Sequence, residues 1–184
     1  MIFLYLFALF LFFLISIAFI IFLSMQILAV FTTQAPFIPI PKEVQKDVIE
    51  NIELNGSSVL YDLGCGDGRI LIEASKKYPQ IRAVGVDMGF MPYFLAKFYT
   101  KKYKNITIKR EDIFKTDIGN ATHIFLYLYP KVINKLVHNI RTQCKSGTKI
   151  VSCDFEISNE IPIKIVDLQQ TSSSRGKKLF IYEI

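Results

Sequence analysis

The sequence predicts a three-layer α/β domain with a doubly wound, mainly parallel sheet and an antiparallel C-terminal hairpin, preceded by one N-terminal transmembrane helix. Three observations predict it. The first 41 residues contain no Asp, Glu, Lys, Arg or His. Beyond them, short β-branched runs alternate with stretches of helical periodicity, the pattern of right-handed βαβ units. The last two apolar runs follow one another without a helix between them, which gives an antiparallel pair on one edge of the sheet.

The run from Met1 to Phe31 is interrupted only by Ser16, Ser24 and Gln26. As a helix it reaches about 45 Å, more than the roughly 30 Å hydrocarbon core of a bilayer. A cleaved leader is the rival reading, with Thr33-Gln34-Ala35 as its cleavage site. Such a leader has a basic start and a shorter apolar run, so a retained anchor is preferred. Lys42 and Lys46 lie just after the span and favour a cytoplasmic location for the rest of the chain. All 38 charged residues fall in the 143 residues from position 42 onward, roughly 27% of them, as in an ordinary soluble domain. The expected division is therefore an anchor over 1–31, a Pro-rich connector over 32–41 and a folded domain over 42–184. Disordered and repeat architectures are excluded, since neither part is poor in apolar residues and no period recurs. Cys65, Cys144 and Cys153 are too scattered for a disulfide framework or a zinc site, and no metal is expected.

Pro41 suits the first position of a helix, and Val44, Val48, Ile49 and Ile52 repeat at helical spacing until Asn55-Gly56 ends it. Val59–Leu63 reads as a buried strand, followed by a glycine-rich turn and a helix from Arg69 to Tyr78. Ala83–Val86 is the second strand and Pro92–Lys102 the next helix. Ile106–Ile108 and Ile124–Leu128 are the third and fourth strands, Lys131–Ile140 a helix, and Lys149–Val151 the fifth strand. Ile161–Val166 and Leu179–Ile184 form the terminal pair, joined by the turn-rich segment QQTSSSRGK.

The densest signal is Val59 to Ile70, an apolar strand running through Asp62-Leu63-Gly64-Cys65-Gly66-Asp67-Gly68 into a helix. Glycines there allow a tight turn and let a ligand approach the main chain. Nineteen residues after Gly68, Asp87 ends the second strand, where a carboxylate can accept both hydroxyls of a ribose. A dinucleotide fingerprint has the form G-x-G-x-x-G. Here the spacing is G-x-G-x-G, and Arg69 stands where the third glycine would fall. Asp62, two residues before the first glycine, suits a cationic aminoacyl end better than a pyrophosphate. S-adenosylmethionine therefore fits better than NAD.

These residues resemble the class I S-adenosylmethionine-dependent methyltransferases, whose first motif has the form D-x-G-x-G-x-G. The likeness extends over residues 37–155. FIPIPKEV, DLGCGDGRI, GVD, ITIKREDIF, IFLYLYP and GTKIVSCDF resemble, more narrowly, the small and often membrane-anchored protein lysine methyltransferases of archaea, bacteria and mitochondria. The resemblance implies a Rossmann-like methyltransferase fold. It implies that Asp62, Gly64, Gly66 and Asp67 hold the aminoacyl end of S-adenosyl-L-methionine and Asp87 its ribose. It places Asp112 at the adenine amino group, with Ile113 giving a backbone contact and an apolar face, and lets Phe37 to Pro41 fold over the cofactor. Where relatives commonly read Pro-Thr-Pro, this chain has Pro39-Ile40-Pro41, so no polar contact is expected from Ile40.

Methyl transfer from a sulfonium is an in-line displacement, and alignment supplies most of the catalysis. A lysine acceptor must lose its proton, which desolvation favours without a strong base. Tyr127 and Tyr129, after the fourth strand, are the candidate catalytic residues; their rings can hold an ammonium and their hydroxyls orient an amine. Core packing of either tyrosine is the alternative reading. His123 and His138 are weaker candidate bases, and Asp154 and Glu156 candidates for steering a cationic acceptor. The folded part is near the minimum for its fold and leaves no room for an inserted lid, so an open cleft and a large acceptor are expected.

The expected function is a single-pass, membrane-anchored methyltransferase acting on lysines of membrane or membrane-associated proteins. The expected partners are the bilayer and that protein acceptor, without nucleic acid. A lipid, quinone or other small apolar acceptor is the alternative, and a non-catalytic cofactor-binding scaffold the second one. The basic stretch Lys97, Lys101, Lys102, Lys104, Lys109 and Arg110 is either a solvated face or a surface for anionic lipid.

Overall fold

The computed structural model describes residues 1–32, 38–168 and 175–184. It contains a long N-terminal helix, α1 (Ile2–Thr32), as one compact unit, and an α/β domain as a second. In α1 the stretch Ile2–Met25 has a mean hydropathy of 3.1 and none of it is buried within the protein. The hydroxyls of Ser16 and Ser24 donate back to the carbonyls of Phe12 and of Ile20 and Ile21, so these polar side chains are satisfied within the helix itself.

The domain is built on seven strands in the order β3-β2-β1-β4-β5-β7-β6. The strands are β1 (Val59–Leu63), β2 (Arg82–Val86), β3 (Ile106–Lys109), β4 (His123–Leu126), β5 (Lys149–Cys153), β6 (Lys164–Asp167) and β7 (Lys178–Glu183). The first five are parallel, whereas β7 runs antiparallel to both β5 and β6. The strand order reverses between β1 and β4, so the carboxyl end of β1 opens onto the crevice where ligands of such sheets bind.

Four helices cover the sheet: α2 (Gln45–Asn51), α3 (Arg69–Lys77), α4 (Phe90–Thr100) and α5 (Pro130–Gln143). Because strand side chains alternate faces, the parallel strands supply two separate cores. Leu60, Ala83, Phe125 and Val151 face the side of α2 and α3, with Val48, Ile49, Ile70 and Leu71. Leu63, Val86, Leu126 and Ile150 face α5, through Val132, Ile133, Leu136 and Ile140. This is the three-layer arrangement that the alternation of elements predicts.

Several boundaries differ from expectation by one to three residues, and three differences have a clear physical cause. The helix after Pro41 is a 3-10 turn, Lys42–Val44, continued by α2, and it stops at Asn51 rather than at Asn55-Gly56. Glu53 takes a left-handed φ of 61° and reverses the chain so that Leu54 is buried. The fourth strand ends at Leu126, because Pro130 starts α5 and pulls Tyr127–Tyr129 out of the sheet. The sixth strand is Lys164–Asp167; Ile161 precedes it and is almost fully exposed. Half of the expected connector (33–37), with Phe37, and most of the hairpin turn (169–174) lie outside the described residues.

Candidate active site

The turn after β1 is set by three glycines with φ of 83° at Gly64, 57° at Gly66 and 77° at Gly68, values that side-chain-bearing residues rarely adopt. A Cβ on Gly64 would also lie 2.6 Å from Leu128 Cδ2, so the loop after β4 closes against this turn. The amides of Gly64 and Cys65 donate to the Val86 carbonyl, at 2.8 and 3.1 Å, which ties the turn to the end of β2.

Asp87 follows directly. Its Oδ2 accepts the Gly66 N–H at 3.0 Å and its Oδ1 the Gly89 N–H at 2.8 Å. One carboxylate thus bridges the glycine turn and the start of α4. Burial pushes its pKa up, while these two amides pull it back.

Asp62 is buried at the carboxyl end of β1. Burial, followed by the charges of Asp87 and Asp67, pushes it up to about 8, and no cationic side chain among the described residues offsets them. Taking an ionised carboxylate out of water without a partner is costly, so this site favours either a proton or a cation brought by a ligand. Buried acid lacking a countercharge, beside a glycine turn at the carboxyl end of β1, fits a nucleoside with a cationic amino-acid end and two ribose hydroxyls.

Asp67 is placed differently from its neighbours. Its carboxylate takes both Arg69 Nε at 2.8 Å and Arg69 Nη2 at 2.5 Å, while Arg69 Nη1 donates to the Ile40 carbonyl at 2.8 Å. Arg69 therefore links the glycine turn to the Pro-rich entry. The Ile40 side chain is buried in the core. Asp112 Oδ1 accepts the Phe114 N–H at 3.0 Å, an Asx turn that fixes the loop after β3, and Ile113 packs against the core on the α5 side.

Tyr127 is half-buried. Burial, then the nearby charge of Asp154, pushes its hydroxyl up to about 12. Tyr129 caps α5, is 41% exposed, and its ring lies 6.3 Å from that of Phe155. His123 starts β4 at the opposite end of the strands from the glycine turn. It is buried, with Nδ1 2.8 Å from Thr122 Oγ1, and burial lowers its pKa. His138 lies on the exposed side of α5. Neither histidine is brought to the turn.

Asp154 instead fastens the terminal hairpin. It sits at φ 67°, and its oxygens accept the Gly176 and Lys177 amides at 2.6 Å each and the Lys178 amide at 3.3 Å. Asp154→Ala is expected to cost about 1–3 kcal/mol of stability, measured as a lower denaturation midpoint. Asp154→Asn tolerates the left-handed φ and should recover part of that loss.

Two features here are missed by the sequence pattern. Gly85 lets α3 approach β2, since a Cβ there would lie 2.6 Å from Leu71 Cδ1 and 2.9 Å from Cys65 Sγ. A glycine inside a strand was the available signal. Gly89 supplies the second amide to Asp87, and the sequence Asp-x-Gly marks such a turn. A surface hollow of about 260 Å³, lined by Lys46, Ile49, Glu50, Glu73, Lys76 and Lys77, lies at the carboxyl end of α3. That is the far end of the helix from the glycine turn, and its charged rim is open to solvent.

Comparison with known proteins finds methyltransferases. A family model described as the ANTKMT methyltransferase domain matches residues 62–164. A protein-lysine N-methyltransferase of Saccharolobus islandicus is 28% identical over 154 residues, covering 82% of this chain and 96% of its own length. An adenine nucleotide translocase lysine N-methyltransferase of Mus musculus is 24% identical over 110 residues, covering 58% of this chain, and the chain spans only 48% of that protein. Among solved structures, an RNA methyltransferase from Salinibacter ruber in complex with S-adenosyl-L-homocysteine is 33% identical. It superposes with a TM-score of 0.73 over 80% of this chain and 94% of that one.

Proposed function

The chain belongs to the family described as the ANTKMT methyltransferase domain, among the class I S-adenosylmethionine-dependent methyltransferases, and from that premise we propose that it methylates lysine side chains of membrane or membrane-associated proteins. The observation that carries the reading is the buried carboxylate of Asp62 beside the glycine turn, with Asp87 spanning the turn and the start of α4.

S-adenosylmethionine, when bound, supplies an electrophilic methyl on a sulfonium. Asp62 would provide the countercharge for its ammonium, with Gly64, Gly66 and the turn at Asp67 lying against the aminoacyl part. Asp87 would take the ribose hydroxyls, and Asp112 and Ile113 the adenine. Asp67 would act through its backbone and through the Arg69 pair that holds the turn's shape. Tyr127 and Tyr129 would flank the acceptor. With its hydroxyl pushed up to about 12, Tyr127 stays protonated at neutral pH and does not act as a base; its oxygen would accept an N–H of the amine, leaving the amine lone pair free to attack. Desolvation lowers the pKa of the lysine as it enters, so that its proton passes to solvent before the lone pair attacks.

Anchoring through α1 as a single pass, with the domain on the cytoplasmic side, completes the reading. It is supported by the length and apolarity of Ile2–Met25 and by Lys42 and Lys46 after it. An anchor raises the effective concentration toward acceptors in the same bilayer. Lysine as the acceptor is supported by the names of the archaeal and mouse relatives. A second reading, an RNA acceptor, is favoured by the name of the 33%-identical Salinibacter protein.

One assay separates these readings. The chain is incubated with radiolabelled S-adenosylmethionine and native membranes with their associated RNA, and label is then partitioned among protein, RNA and organic extract. Label in protein, recovered as methyl-lysine after hydrolysis, is expected. Label confined to RNA or to the extract would reject the lysine assignment.

A further inference from the structure

The face of α4 turned away from the sheet is apolar and aromatic. Ala96 and Thr100 are buried against the glycine turn, where a Cβ on Gly68 would lie 3.1 Å from Thr100 Cγ2 and 3.5 Å from Ala96 Cβ. At about 100° per residue, Phe94 and Phe98 point to the opposite side of the helix. Phe90, Met91 and Phe94 are each exposed by more than two-fifths and Phe98 by 64%. The Phe90 and Phe94 rings lie against one another, 4.6 Å apart between centroids and tilted by 53°. So many large apolar side chains shown to water along one helix are far more than scattered surface residues require.

Charge surrounds this stripe with one sign. Between Asp87 and Glu111 the chain has no acidic residue and carries Lys97, Lys101, Lys102, Lys104, Lys109 and Arg110. Lys97, Lys101 and Lys102 form no ion pair among the described residues. They lie instead over the rings of Tyr93, Phe98 and Tyr103 at 5.2–5.4 Å. Aromatic side chains with flanking cations whose stems run along them are suited to the boundary between headgroups and acyl chains. A soluble acidic partner would match the charge but not the apolar ridge, and an apolar partner the ridge but not the charge.

We infer that α4 docks on the surface of an anionic lipid bilayer, its Phe94 and Phe98 rings entering the headgroup boundary and its lysines meeting lipid phosphates. Gly89, which precedes α4, donates to Asp87, so docking holds the cofactor turn close to the membrane plane. The inference concerns a surface distinct from α1 and does not depend on which acceptor is methylated.

The chain has no tryptophan, so a single introduced indole reports its own surroundings. Full-length Phe98→Trp is reconstituted in vesicles of phosphatidylglycerol and phosphatidylcholine brominated on its acyl chains. Lys135→Trp on exposed α5, across the sheet, and Phe13→Trp in α1 are prepared alongside. Quenching of Phe98→Trp several-fold stronger than that of Lys135→Trp is expected. It should fall toward the Lys135→Trp level in vesicles of brominated phosphatidylcholine alone, in high salt, and when Lys101→Glu and Lys102→Glu are added. Equal, weak quenching at 98 and 135 would overturn the inference, whether α4 then proves to face a protein, RNA or water. Phe13→Trp reads the anchor separately: strong quenching at 13 with none at 98 rejects docking and leaves the anchor standing. Quenching at 98 without quenching at 13 supports docking and rejects the anchor.

Discussion

Asp87→Ala is expected to lower affinity for S-adenosylmethionine at least about thirtyfold, the lower end of the usual scale for removing a buried hydrogen-bonded charge from a binding site. The loss has two sources. The ribose would lose its acceptor, and the amides of Gly66 and Gly89 lose the carboxylate that joins them, at 3.0 and 2.8 Å. Asp87→Asn separates the two. An amide side chain can still accept one backbone N–H, so the turn should keep much of its shape while affinity stays low. Calorimetric titration gives the affinities, and thermal melting without ligand shows whether the domain remains folded. Affinity unchanged in both variants would remove Asp87 from the site.

Asp62→Asn is expected to have opposite effects on binding and on stability. With a pKa of about 8 in the folded chain against an ordinary 3.8, Asp62 holds more protons folded than unfolded. Stability from this group is therefore complete at low pH and declines as pH rises between roughly 4 and 8, where the carboxyl ionises beside Asp87 and Asp67. Asparagine carries no such charge. The ligand-free variant should melt higher than the native chain at pH above about 8, and the advantage should vanish near pH 4. Cofactor binding should fail, since the ammonium has lost its countercharge. Affinity of the native chain should rise with pH, by up to about tenfold per unit below pH 8, because binding a cation there releases the Asp62 proton. The Asp67 charge is partly neutralised by Arg69, so the Asp87 charge is the neighbour that matters most.

The elements that the sequence made legible are those set by local chemistry. The glycine turn, the strand before it and Asp87 are read from turn residues and spacing, and β1, α3 and α5 follow from periodicity to within a few residues. Tyr127 and Leu128 look like a continuation of the fourth strand because they are apolar and β-prone. What ends the strand is Pro130 beginning α5 and Leu128 closing over Gly64, and only the second of these needs the fold. The partner of Asp67 was not legible, since side-chain direction in a loop has no periodic signal. Arg69 reads as a misplaced third glycine in sequence and as the tie between the turn and the Ile40 carbonyl in space. Asp154 likewise reads as a candidate for steering a cation, yet three hairpin amides occupy its oxygens. Exposure of the aromatic face of α4 was hidden for another reason: its composition suits a buried helix equally well, and only the packing of Ala96 and Thr100 shows which side is covered.

The most direct measurement is calorimetric binding of S-adenosylmethionine to the chain at about pH 6 and about pH 7.5, where the cofactor's ammonium is still largely charged, in buffers of different ionisation enthalpy. Asp62 as the buried countercharge predicts saturable binding that is tighter at the higher pH, with close to one proton released per cofactor at the lower pH, and no saturable binding by Asp62→Asn. Binding that is indifferent to pH, releases no proton and survives Asp62→Asn would contradict it.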